Sequence, residues 1–144
     1  MIWLLRHGDA ESEGDEETRP LTAKGKRQAE DAGRALAALQ VTLDTCLSSP
    51  KARALDTARI ASRSLGVDPE PADALAGGGF DPAELAVGRG EVLLVGHDPD
   101  FSRAIAQATG ARVEMKKGGL AGIEDATLIA LLRPEQLALV GRSA

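Results

Sequence analysis

The chain has 144 residues, with 17 Lys and Arg against 22 Asp and Glu, for a net charge of −5; its overall field does not attract nucleic acid or anionic lipid, so any anion site must be local. One cysteine and two histidines exclude an intrachain disulfide and leave no ligand set for structural zinc, an iron–sulfur cluster or a histidine-rich metal site. Apolar residues make up 43% of the chain and aromatic ones 2%, which supplies a Leu, Val, Ile and Ala core but no platform for stacking bases.

The length suits one domain over residues 1–144. No apolar run approaches a membrane span or a leader, so the expected location is the cytoplasm.

Ile2 to Leu5 is a short continuous apolar run that ends at Arg6-His7-Gly8-Asp9, the pattern of a strand covered on both faces. Glu11 to Arg19 carries five acidic residues and no hydrophobic one and reads as a solvated loop. Thr22 then precedes Ala29, Ala32, Leu36 and Leu39, one face of a helix. Leu43 to Leu47 is a second strand. Ser49 and Pro50 are placed to cap and open a helix whose inner stripe is Ala54, Ala58, Ala61 and Leu65, ended by Gly66.

Asp68 to Gly79 is turn-rich, and Asp81-Pro82 starts a short helix with Glu84 in position for a capping box. Glu91 to Val95 is an apolar strand ending at Gly96-His97, and Asp98-Pro99 reads as the cap and first turn of a helix through Phe101 and Ile105. Strands follow at Gly119 to Glu124 and Thr127 to Leu132, then a last apolar stretch at Leu137 to Val140. This order predicts an α/β layered domain with a mainly parallel sheet.

In such a sheet ligands gather at the C-terminal ends of the strands. There the first strand delivers Arg6, His7 and Gly8, the second delivers Ser48, Ser49 and then Arg53, and a later one delivers Gly96 and His97. Two imidazoles beside two permanent cations disfavour a further positive charge, so each is biased toward its neutral form until an anion arrives. Phosphate suits the arginine forks, and Gly8 permits close backbone approach.

Rival motifs fail on spacing. Cys46 lies within a strand and is followed six residues later by Ala52 rather than an arginine, and Gly25-Lys26 has Pro20 where a phosphate loop needs glycine. Cys46 reads as a small buried hydrophobe. Glu114, Lys116 and Lys117 face either a ligand or water.

Four blocks in order, Leu5-Arg6-His7-Gly8, Arg19-Pro20-Leu21-Thr22-Ala23-Lys24-Gly25, Ser48-Ser49-Pro50-Lys51-Ala52-Arg53-Ala54 and Val95-Gly96-His97, resemble the histidine phosphatase superfamily. Arg6-His7-Gly8-Asp9-Ala10, Gly96-His97-Asp98-Pro99 and the short chain resemble its small SixA-type phosphohistidine phosphatases. The resemblance implies a phosphoglycerate-mutase-like three-layer α/β/α sandwich without a large cap insertion. It also implies a phosphoenzyme reaction with no metal or other cofactor.

In that reaction His7 would be the nucleophile. Arg6, Arg53, His97 and Gly8 would hold the phosphoryl oxygens; the region where relatives carry a glutamate acid offers Asp73 here, and Asp9 at the rim is the other candidate acid. The expected substrate is a phosphohistidine on a protein. The alternatives are a small-metabolite or broad-specificity phosphomonoesterase and a noncatalytic phosphate-binding adaptor. No nucleic-acid or membrane partner is expected, and the oligomeric state is left open.

Overall fold

Alternation along β1 (Ile2–Arg6) sets the layering: Trp3 and Leu5 enter one core, while Leu4 enters another on the opposite face of the sheet. The same division runs through β4 (Val92–Gly96), with Leu93 and Val95 on one side and Val92 and Leu94 on the other. A strand apolar on both faces requires helices above and below. The computed structural model, which describes residues 1–143, has this arrangement. Against the first face lie α1 (Ala23–Ala38), α2 (Ala52–Arg63) and α5 (Pro134–Arg142), through Ala32, Leu36, Ala58 and Leu137. Against the second lie α3 (Pro82–Ala86) and α4 (Asp100–Thr109), with Phe101 and Ile105.

The six strands lie in the order β3-β2-β4-β1-β5-β6, completed by β2 (Thr45–Ser48), β3 (Pro69–Pro71), β5 (Leu120–Glu124) and β6 (Thr127–Leu132). The first four in chain order run parallel, and β5 and β6 add an antiparallel pair at the β1 edge. The fold is thus a three-layer α/β sandwich of phosphoglycerate-mutase type without a large cap insertion. None of the described helices is long and apolar enough to cross a membrane.

Several boundaries differ from the sequence reading. Ser49 and Pro50 precede α2, whose cap position is Lys51; Ser49 Oγ still accepts the Lys51 N–H at 3.2 Å, but as a turn before the helix. Likewise α4 starts at Asp100, and the Asp98 carboxylate reaches over Pro99 to accept from Ser102 N at 2.9 Å. Asp81 caps α3 by accepting from Ala83 N at 2.9 Å, while Glu84 is exposed. Two prolines hid β3, a short edge strand where missing N–H donors are tolerated. The final apolar stretch belongs to α5, opened by Pro134.

The segment after β1 is locked onto the start of α1. Asp9 N donates to Gln28 Oε1 at 2.8 Å, Thr22 Oγ1 donates to Asp9 Oδ2 at 2.9 Å, and Thr22 N donates to the Asp9 carbonyl at 3.0 Å. Thr22 also caps α1 by accepting from Gly25 N. The two backbones touch at Gly8 and Gly25, where a Cβ on Gly8 would stand 2.6 Å from the Gly25 carbonyl oxygen and one on Gly25 would collide with Asp9.

Gly25→Ala should therefore push the residue 8–9 segment away from α1. Chemical denaturation is expected to show a loss of about 1–3 kcal/mol, the usual range for forced overpacking. Unchanged stability with unchanged kinetics would mean that the contact is slack.

Candidate active site

Parallel pairing continues past the strands and sets three site residues side by side. His7 N donates to the Gly96 carbonyl at 3.0 Å and Ser49 N to the Val95 carbonyl at 2.9 Å. The rings of His7 and His97 consequently lie 5.2 Å apart, tilted by 60°. Arg53, in the first turn of α2, reaches the same edge, and all three side chains are more than nine-tenths buried. Arg6 completes the wall of a cavity of about 350 Å³.

The bond from His7 Nδ1 to the Gly8 carbonyl, 2.7 Å long, decides the ring's chemistry. A carbonyl oxygen only accepts, so Nδ1 carries the proton and Nε2 keeps its lone pair. Burial is the largest influence on its acidity and lowers its pKa to about 4; the Gly8 bond opposes this, while Arg53, Arg6 and Lys117 add to it. His97 is lowered to about 3, first by burial and then by His7, Arg53 and Lys51.

His97 Nε2 lies 2.8 Å from Ser49 Oγ. That oxygen also accepts from Lys51 N, so one hydroxyl joins the His97 ring to the turn ahead of α2. His97 Nδ1 is buried without a partner, as is Arg6 Nε. The remaining Arg6 geometry is set by Nη1, which donates to the Met115 carbonyl at 2.7 Å. The Gly8 amide donates to Thr57 Oγ1 at 3.1 Å, and Thr57 Oγ1 donates to the Arg53 carbonyl at 2.7 Å, which ties the His7 loop to the helix carrying Arg53.

Arg6, His7, Arg53 and His97 are thus brought together around the cavity, whereas Gly8, expected to hold a phosphoryl oxygen, lies off the cavity wall with its amide bonded to Thr57 and its carbonyl to the His7 ring. Neither expected acid joins them. Asp73 sits exposed in a 3₁₀ turn (Asp73–Leu75) off the cavity wall, and the Asp9 carboxylate is held by Thr22 and lies 3.6 Å from Lys117 Nζ in a neighbouring groove. Cys46 is buried and its thiol is pushed up to about 12, chiefly by burial, as suits an inert core residue.

The acidic loop is where the sequence reading needs correction, because it does more than face water. Arg53 Nη1 donates to the Glu16 carbonyl at 2.7 Å and Nη2 to Glu16 Oε1 at 2.6 Å. Arg19 and Lys51 approach the same carboxylate at 3.1 and 3.4 Å. Hydrogen bonds from Arg53 and then Arg19 bring the Glu16 pKa down to about 2. A carboxylate of the protein itself therefore occupies the anion-binding side of the cavity. Ser49, delivered to this edge by the second strand as the sequence predicts, reaches His97, while Lys51, Asp98 and Asp100 also face this region without a sequence signal for it; Lys117, which the sequence leaves between ligand and water, lines the cavity. The only signal for Glu16 was a dense acid run between two arginine-bearing segments.

A neutral, Nδ1-protonated imidazole among fixed cations defines a phosphoryl-handling site in an α/β sandwich. The sequence profile of the Histidine phosphatase superfamily (branch 1) matches residues 2–85, and the chain belongs to that superfamily. An uncharacterized protein of Picosynechococcus is 34% identical over 137 residues, spanning 85% of this chain and 83% of the relative. The protein histidine phosphatase SixA, solved with tungstate, superposes with a TM-score of 0.81 at 21% identity over 94% of this chain and 98% of its own. A SixA-type protein from Nakamurella multipartitia gives 0.77 at 26% identity, over 92% of this chain and 95% of its own.

Two outcomes follow from the charge arrangement. Nitrogen NMR should find His7 as the Nδ1–H tautomer and neutral down to about pH 5. Because both imidazoles are neutral when folded and titrate near 6.5 otherwise, their contribution to stability is complete above pH 6.5 and declines as pH falls toward 4. A denaturation midpoint that rises over this fall in pH would contradict the burial of two neutral rings. Separately, Glu16→Gln should lower the inhibition constant of tungstate or phosphate by roughly two- to tenfold, since a half-exposed loop carboxylate competes only modestly with a bound oxyanion for the buried Arg53; weaker anion binding would instead make Glu16 a support for Arg53.

Proposed function

We propose that the protein is a metal-independent phosphatase that passes its phosphoryl group through His7 and acts on phosphohistidine of a protein. The observation that carries this reading is the 2.7 Å bond from His7 Nδ1 to the Gly8 carbonyl, which leaves Nε2 as an unprotonated nucleophile facing cations. In the first step the Nε2 lone pair forms a bond to phosphorus as the bond to the leaving group breaks. Arg6, Arg53 and His97 hold the nonbridging oxygens. Water then forms the new oxygen–phosphorus bond, the bond to His7 breaks, and Nε2 recovers its lone pair.

The choice of substrate follows from the proton balance. An alkoxide leaving group needs a placed acid, and Asp73 and Asp9 stand away from the cavity. An imidazole protonated on its other nitrogen departs neutral and needs none. Asp100 on the cavity wall favours a second reading, a phosphomonoesterase with Asp100 as proton donor.

His7→Ala should abolish turnover with the fold retained, and rapid quench at neutral or alkaline pH should find phosphate on His7 in the parent protein even with chelator present. Strict dependence on added magnesium would sink the proposal. Arg53→Lys keeps the charge but loses the fork, and kcat/KM should fall by about 1–3 kcal/mol of transition-state stabilisation.

Phosphohistidine and activated aryl phosphates should turn over while phosphoserine barely reacts. Replacing both Asp73 and Asp9 with asparagine should leave phosphohistidine cleavage within roughly tenfold of the parent, since no acid worth ~10²–10⁴ is lost. Efficient phosphoserine hydrolysis that collapses in Asp100→Asn would favour the second reading.

A further inference from the structure

Beside the catalytic cavity lies a second open groove of about 480 Å³, and the two share Arg6 and Lys117 as a common wall. The groove adds Lys24 at the start of α1, Lys116, and Arg133 ahead of α5, so five cations line it against the carboxylates of Asp9 and Glu135. This is a concentrated positive region in a chain whose net charge is −5. Part of the charge is already answered, since Lys116 Nζ lies 2.8 Å from Glu114 and Lys117 Nζ 3.6 Å from Asp9. Lys24 and Arg133 have no carboxylate partner among the described residues.

We infer that this groove receives an acidic segment of the protein substrate, next to the residue whose phosphoryl group enters the catalytic cavity; the inference rests on the phosphohistidine reading given above. The form of the site selects carboxylates on a chain over a second phosphate on a small molecule. A discrete phosphate is held best by donors converging from a buried fork, as Arg53 provides in the first cavity. Here three of the five cations are lysines spread along an open groove, and the side chains of Lys116 and Lys117 are about half exposed. Separate flexible ammonium groups match carboxylates distributed along a peptide. None of Glu11, Glu13 and Asp15 of the acidic loop lines this groove, and their charge repels such a segment, so the charge pattern gives the substrate one direction of approach.

The test uses the full chain and two phosphohistidine peptides of equal length, one with Asp and Glu around the phosphorylated residue and one with Ser and Gly. The parent should favour the acidic peptide in kcat/KM by about tenfold, and added salt should erase the preference. The double variant Lys24→Glu with Arg133→Glu should lose the preference through KM while its turnover of an aryl phosphate stays unchanged. The unphosphorylated acidic peptide should also inhibit aryl phosphate turnover by the parent and not by the variant. That measurement reads the groove even if neither phosphohistidine peptide is cleaved, a result that would defeat the substrate reading alone.

Equal rates on the two peptides with no inhibition by the acidic one would overturn the inference. So would an equal loss of aryl phosphate turnover in the variant. Pyrophosphate inhibiting more than tenfold better than phosphate, with the advantage lost in the variant, would reassign the groove to a small-molecule phosphate and overturn it as well.

Discussion

Where His7 points depends on how closely two stretches of backbone approach each other. Gly8 and Gly25 pack without side chains between them, and the Asp9 backbone is fixed from both directions by Gln28 and Thr22. A loop leaving a strand would ordinarily sample many directions, and each residue fixed costs on the order of 1–2 kcal/mol of conformational entropy. Here that cost is met by contacts with the first turn of α1. The Arg6-His7-Gly8-Asp9 and Thr22-Ala23-Lys24-Gly25 blocks are two sides of one joint, and the joint holds the Gly8 carbonyl where it can accept from the His7 ring.

A crowded group of cations beside His7 is sustained by carboxylates of the same chain. Burial raises the cost of each charge, and the Arg6 pKa is lowered by burial even with Asp98 opposing it. Arg53 is compensated by Glu16, whose side chain remains 57% exposed. An exposed carboxylate on a loop gives up its pairing at little net cost, whereas the guanidinium it leaves behind is already oriented. The site is therefore organised around an anion of its own, Glu16, whose place on Arg53 a phosphoryl group would take.

The parallel sheet and its active edge were legible because periodicity and strand ends are local properties of sequence. Thr127 to Leu132 forms the expected strand, and the convergence of His7, Arg53 and His97 follows from the topology. Other features depended on partners distant in the chain. The lone pair of His7 is set by a neighbouring carbonyl whose direction only the folded joint defines. Glu16 is indistinguishable by composition from the acids around it, and its pairing with Arg53 spans 37 positions. The weak strand β3 is made by its sheet neighbour rather than by its own Pro-rich sequence.

Openness and proton balance bear on the same question of substrate. Between α2 and α3 the chain has room for a three-residue edge strand and one 3₁₀ turn, so no helical cap covers the leaving-group side. Such a site cannot exclude water or draw much binding energy from the body of a small metabolite, and both are needed to stabilise a poor leaving group. A phosphoryl group presented on a folded surface brings its own binding area, and an imidazole leaving group brings its own proton. On the proposed reading, the openness that would serve alkyl phosphates poorly is the same openness that would admit a protein-borne phosphohistidine.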